Sequence, residues 1–370
     1  MIRFCVIFLF IISKLTSQLD NSALYLGHGD TIPEKTAYFK IINFNYFKNN
    51  EYFGPIADGY TLFGTQLNPQ VGVQISKNVS LEAGIFLQKD FGNKEFELVL
   101  PTFSFRYEKD KFKMIFGNID GSLNHQLIEP VYNFERVITN RLENGAQFLY
   151  NHKYFDFDTW VDWQSMIYKY SNKKEQLWGG LIGNVLKLGS DSMQIRIPVQ
   201  FTAKHVGGQI DTAKGPSYTN VTFNSGIAFS KKFHSKILSE VYFDARYLAK
   251  RTNSFDTTLV PNVGTGVMLN AGLNIFKTDV MLSYWSGNHF NTDFGGYLYA
   301  SESSTVRFAG TYQNQRNLLI LRITKTFPLA KNVSISLRAE PNYDLGFGRF
   351  DYSYGLYINI NERIALKRKK

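Results

Sequence analysis

The sequence predicts an all-β protein: a transmembrane antiparallel β-barrel of about 16 strands, with short periplasmic turns and long extracellular loops. Three observations lead there. Segments of about ten residues that alternate apolar and polar side chains recur along the chain, and a period of two is the signature of a strand with one oily and one wet face. A short leader opens the chain. Aromatic residues reach 16% while mean hydropathy is only −0.21, a pairing typical of membrane barrels. The later sequence holds no apolar run long enough to cross a bilayer as a helix.

The leader reads MIRFCVIFLFIISKLTSQ. Arg3 gives a basic start, 4–12 an apolar run, and Leu15-Thr16-Ser17 a small-residue junction before Gln18. That order predicts a signal peptide over 1–17; a membrane helix would need about twice the run. The single cysteine, Cys5, lies inside it, so the exported chain would carry no thiol and no disulfide. Residues 18–35, QLDNSALYLGHGDTIPEK, are too short for a domain and form an N-terminal extension to a barrel over 36–370.

The barrel begins with a strand near 38–46. Hairpins follow at 66–87, 98–116, 144–164, 177–203, 221–247, 267–285 and 317–339, and a last strand at 350–360, sixteen in all. An even count suits a single-chain barrel with both ends on one side. QIRIPVQFTA (194–203) is the cleanest case, with Ile195, Ile197, Val199, Phe201 and Ala203 on one face. In FDYSYGLYINI (350–360), Phe350, Tyr352, Tyr354, Leu356, Ile358 and Ile360 face outward, and Asp351, Ser353, Gly355 and Asn359 inward. Pro69, Pro101 and Pro198 each remove a ladder donor, so bulges or strand ends are expected there. KILSEVYFDARY alternates poorly. The segments between hairpins are the longer ones, 117–142 and 286–316 above all, and one of these two is expected to fold inward as a constriction. FGGYLYASESS, in the second, has the small residues that let backbones approach closely.

The net charge of +10 does not require nucleic acid in an exported chain. Lys77, Lys109, Lys111, Lys153, Lys187, Lys231, Lys232, Lys277, Lys325 and Lys331 all fall at short turns, and the chain ends Lys367-Arg368-Lys369-Lys370. Such lysines reach lipid phosphates or simply solvate the turns; the basic tail equally suits a periplasmic partner. By parity Glu82, Arg106, Asp156, Asp158, Asp162, Arg196 and Arg322 point inward and are the pore-lining candidates. Opposed charges across a pore would bias ion entry; pairing within the wall is the plainer alternative.

Six histidines (His28, His125, His152, His205, His234, His289) are scattered, and no hydrolase, zinc, Walker or Rossmann motif appears. The expectation is therefore no enzyme, no catalytic residue, no cofactor and no metal. His205 and His289 fall toward long loops, where a lipid-cleaving barrel would place a His–Ser pair.

The LTS-Q junction, the Asn/Lys/Phe/Tyr-rich composition and the hairpin series resemble porin-like outer-membrane β-barrels of the Bacteroidota type. The resemblance implies location in the Gram-negative outer membrane and passive transport, and carries no site residues. The leading expectation is thus a channel for small polar or charged solutes, in contact with outer-membrane lipids, with a periplasmic protein or lipoprotein as the candidate partner. The rivals are a structural or secretion-assembly barrel with a plugged lumen, and an outer-membrane lipid-modifying enzyme.

Overall fold

Sixteen antiparallel strands close on themselves in chain order, with β1 pairing both β2 and β16. The computed structural model describes residues 19–26, 31–210, 212–254 and 263–366; the leader, His28 and the basic tail lie outside them. In order the strands are β1 (Thr36–Glu51), β2 (Tyr60–Ser76), β3 (Val79–Asp90), β4 (Leu98–Lys109), β5 (Phe112–Asn118), β6 (Asn144–Asn151), β7 (Asp156–Ser165) and β8 (Glu175–Gly189). They continue as β9 (Met193–Gly207), β10 (Tyr218–Lys232), β11 (Leu238–Ser254), β12 (Val263–Ile275), β13 (Thr278–Asn288), β14 (Gln315–Ala330), β15 (Val333–Asp344) and β16 (Arg349–Ala365). Every predicted strand is present.

The faces are those the alternation predicts. On β16, Phe350, Tyr352, Tyr354 and Leu356 are exposed, while Asp351, Ser353, Tyr357 and Asn359 are buried toward the lumen. The prolines sit where the ladder is broken. Pairing of β9 with β10 skips from Val199 to Arg196, and a bulge between Asn184 and Leu186 faces Pro198 from β8. Pairing of β2 with β3 skips Asn68 and Pro69. Pro101 lies in the part of β4 that β5 does not reach, since that pairing starts only at Ser104↔Gly117. A shift between Leu238 and Glu240 accounts for the poor alternation of β11.

Short turns gather on one rim and long connections on the other. Wall height is uneven: β5 and β6 have 7 and 8 residues against 17 in β2, β11 and β16. The wall therefore dips beside the segment that leaves β5.

Candidate functional site

Segment 119–143 starts at this dip and turns into the barrel. Its sequence dictates that: Ile119, Ile128, Val131, Tyr132, Phe134, Val137 and Ile138 are too many large apolar groups for a water-exposed loop, and all are buried. They pack on luminal Trp160 and Trp178 at one side of the wall, and on Leu248, Met268, Trp285 and Leu318 at the other. The connection 289–314 descends onto it. Asn133 donates from its backbone to the Phe294 carbonyl at 2.6 Å, and Gly296 to the Glu129 carbonyl at 2.9 Å. A Cβ on Gly295 would stand 2.2 Å from the Pro130 oxygen, so the Gly-Gly pair is what permits this contact. Both long segments, not one, fold inward. The extension joins them: Leu19 and Leu24 are buried, Asp20 donates to Asp279, and Leu26 to Asn124.

Buried charges fix this plug to the wall. Glu129 takes Arg322 at 2.5 Å and Arg338 at 2.6 Å; Glu340 takes the same two arginines at 2.9 and 2.7 Å. Lys48 adds a bond to Glu340 at 3.3 Å. A second set joins Glu82 to Lys40, Arg363 and Arg106, and Arg106 to Asp120 on the plug at 2.9 Å. A cavity of about 40 Å³, room for a few waters, remains between Lys48, Tyr52, Glu129, Arg322 and Glu340.

The densest chemistry surrounds His125, which has no exposed surface. Nδ1 lies 2.8 Å from Asp158 on β7, and Nε2 lies 3.0 Å from Glu143 at the end of the plug. Its ring stacks on Trp160 with centroids 3.6 Å apart. Burial opposes a charge here, but Asp158 and Glu143 outweigh it and lift the His125 pKa to about 10. At neutral pH the ring is an imidazolium donating from both nitrogens. Glu143 also accepts from the Ser122 amide at 2.8 Å and the Tyr132 hydroxyl at 3.0 Å; burial raises its pKa, yet His125 and these donors hold it below the usual range. Ser122 has φ +57°, strained for a non-glycine, and its buried Oγ has no partner. Strain, an unsatisfied hydroxyl and a paired acid and base in one place make this the candidate functional site.

The seven inward candidates are all on the luminal face, but their charges are engaged locally. Glu82, Arg106 and Arg322 belong to the two networks above. Asp158 holds His125, and Asp162 accepts from the Asn144 amide at 2.8 Å. Asp156 pairs with Lys187 at 2.9 Å, and Arg196 is buried. His205 lies on the outward face of β9 with Nδ1 2.9 Å from Thr219 Oγ1, and His289 bonds the Tyr312 hydroxyl at 3.0 Å; neither has a carboxylate partner among the described residues. Glu129, Arg141 and Glu143 carry no sequence signal of their own. The apolar density of 119–143 was the signal available. Among the described residues no group of His, Cys, Asp and Glu is gathered for a metal ion.

A closed sixteen-stranded barrel with a plugged lumen defines an outer-membrane barrel protein. Its fold matches OprD, an outer membrane protein of Pseudomonas aeruginosa (TM-score 0.51, 11% identity, 92% of this chain and 97% of that one). It also matches a loop-deletion form of OmpT, an outer membrane protein of Vibrio cholerae (TM-score 0.51, 11%, 88% and 99%), and OpdK of P. aeruginosa (TM-score 0.51, 9%, 90% and 100%). At that identity the likeness is one of fold. No curated protein matches by sequence. Over residues 29–369 the chain matches the lipid A 3'-O-deacylase-type family, and it belongs to that family. This overturns the expectation of no enzyme, which rested on the lack of a linear motif.

Proposed function

We propose that this protein is an outer-membrane acyl-ester hydrolase acting on lipid A-type glycolipid, with His125 and Glu143 as its acid–base pair. Family membership over 29–369 is the observation that carries the reading. The pair supports it. Hydrolysis needs a base to take a proton from the attacking water and an acid to return one to the departing sugar hydroxyl. His125 and Glu143 rest as an ion pair across 3.0 Å. A substrate ester that parts them meets the imidazolium Nε2 as acid and the Glu143 carboxylate as base, while Asp158 keeps the ring oriented. The proton returns when the pair closes again.

On this reading residues 1–17 export the chain, the short-turn rim faces the periplasm and the long-loop rim the exterior, and the turn lysines meet inner-leaflet phosphates. The test is release of fatty acid from purified lipid A, followed by mass spectrometry with detergent-solubilised protein. His125→Gln and Glu143→Gln are each expected to lower the rate by about 10²–10⁴-fold. Wild-type activity should hold through neutral pH and fall as pH rises through about 10, where His125 loses its proton. No release from well-folded wild type would remove the reading.

Passive passage of small solutes is the second reading, favoured by the fold match to the outer membrane protein OprD. Under it Glu82, Arg106, Asp156, Asp158, Asp162, Arg196 and Arg322 line the path. The packed plug counts against it.

A further inference from the structure

The dip in the wall has a built interior. Seven residues of β5, at about 3.4 Å each and tilted by about 40°, rise roughly 18 Å, less than the roughly 25 Å apolar band of such barrels. Beside it, residues 98–103 of β4 are paired with β3 alone. An unpaired edge in hydrocarbon is costly unless its donors are dealt with. Donors on a strand point alternately to either neighbour, so residues 99, 101 and 103 address the missing partner. Pro101 has no donor, and the Phe103 amide is taken by Asn118 Oδ1 at 2.6 Å. Only the Val99 amide, nearest the rim, is left. The edge is thus poor in free donors, although the carbonyls of 99 and 101 face the same side, and its exposed side chains are oily: Val99 is 54% exposed, Phe103 47%, and even the inward-facing Leu100 38%.

On the luminal side Phe86, which pairs with Leu100 across the β3–β4 ladder, lines a small pocket together with Ile42, Phe44, Leu142, Gln66 and Arg141. Arg141 is only 4% exposed. Its Nη2 donates to the Leu24 carbonyl at 3.2 Å, Nη1 approaches Gln66 Oε1 at 3.5 Å, and its plane lies over the Phe44 ring; Nε has no partner. Among the described residues no carboxylate pairs with it. Burial alone draws its pKa down to about 10, with no anion to oppose it. A buried guanidinium without a counterion is an anion site, and this one is two residues from Glu143.

We propose that the gap between β4 and β5 is a lateral portal for one fatty-acyl chain, and that Arg141 holds the carboxylate of a long-chain fatty acid lying in it. The site rests on the hydrolase reading for its purpose, since it would receive the released acid beside the acid–base pair and pass the tail back to the membrane. It stands on its own geometry for binding.

Photolabelling separates the two. Full-length protein in proteoliposomes is irradiated with a diazirine-bearing palmitic acid, and the adducts are mapped by peptide mass spectrometry. Adducts are expected to concentrate on 98–103 and on the peptide holding Leu142, and to drop at least fivefold in Arg141→Leu, with labelling kept in Arg141→Lys. The methyl ester of the same probe, lacking the charge, should show no such concentration. Adducts spread evenly around the barrel, or equal labelling by acid and ester, would overturn the proposal. So would labelling unchanged in a folded Arg141→Leu protein. If labelling succeeds while lipid A is never cleaved, the portal stands and the hydrolase falls. Cleavage without localised labelling gives the reverse.

Discussion

His125 joins two parts of the fold through one side chain. Its ring bridges the plug, through Glu143, to the wall, through Asp158, so one proton decides whether two elements are joined. The linkage has a definite sign. The folded pKa of about 10 lies above the unfolded value near 6.5, so the stabilisation is complete below about pH 6.5 and is lost as pH rises through 10. Amide exchange in 119–143 is therefore expected to accelerate between pH 9 and 11 beyond its intrinsic rise. In His125→Gln that extra acceleration should be absent. An unchanged profile in the variant would show that the proton is not what holds the plug. Ser122 contributes in a different way: an αL serine costs on the order of 1–3 kcal/mol, and the Glu143 bond to its amide offsets part of that.

At the scale of elements, the plug is a pair of loops that each complete the other. Segment 119–143 brings apolar groups, and 289–314 caps them through backbone bonds that need the two chains nearly in contact. Gly295 is where that contact is closest. Gly295→Val places carbon against the Pro130 carbonyl and should lower the thermal midpoint of the plug, read by near-UV dichroism of Trp160 and Trp178 on one side of the plug and Trp285 on the other. Far-UV dichroism of the strands should hold to higher temperature, because barrel pairing does not depend on that glycine. If both transitions move together, the plug and barrel are one cooperative unit. The strands themselves follow simpler rules: a proline is found where the ladder is already broken, and the mid-wall stretch at Pro101 is one that β5 never pairs.

The whole molecule is a wide cylinder whose lumen is occupied by its own chain. A sixteen-stranded wall encloses more space than its own side chains fill, and here the extension, the first long loop and the second long loop supply the rest. The expected electrical behaviour follows. Purified wild type in a planar bilayer should give little or no steady conductance, and a deletion of 122–140 should give large, long-lived openings. Open channels of porin size from wild type would mean that the plug leaves the lumen readily and would favour solute passage. The buried ion pairs make that departure costly: breaking one partner of such a pair typically costs about 3–5 kcal/mol, and Arg322 and Arg338 together hold two carboxylates.

The barrel was legible in the sequence because strand alternation is local. Each of QIRIPVQFTA and FDYSYGLYINI declares its lipid face within ten residues, and turn lengths then set the strand count. Parity alone also placed Asp158 and Arg322 on the inner face. What parity could not say is where those charges end, because their partners lie far away in the chain: Asp158 meets His125 33 residues upstream, and Arg322 meets Glu129 across 193 residues. The His125–Glu143 ion pair, the filled lumen and the uncompensated Arg141 exist only once loops have closed over those distances. Local periodicity fixes which face a residue takes; long-range closure decides what it touches, and the chemistry depends on the second.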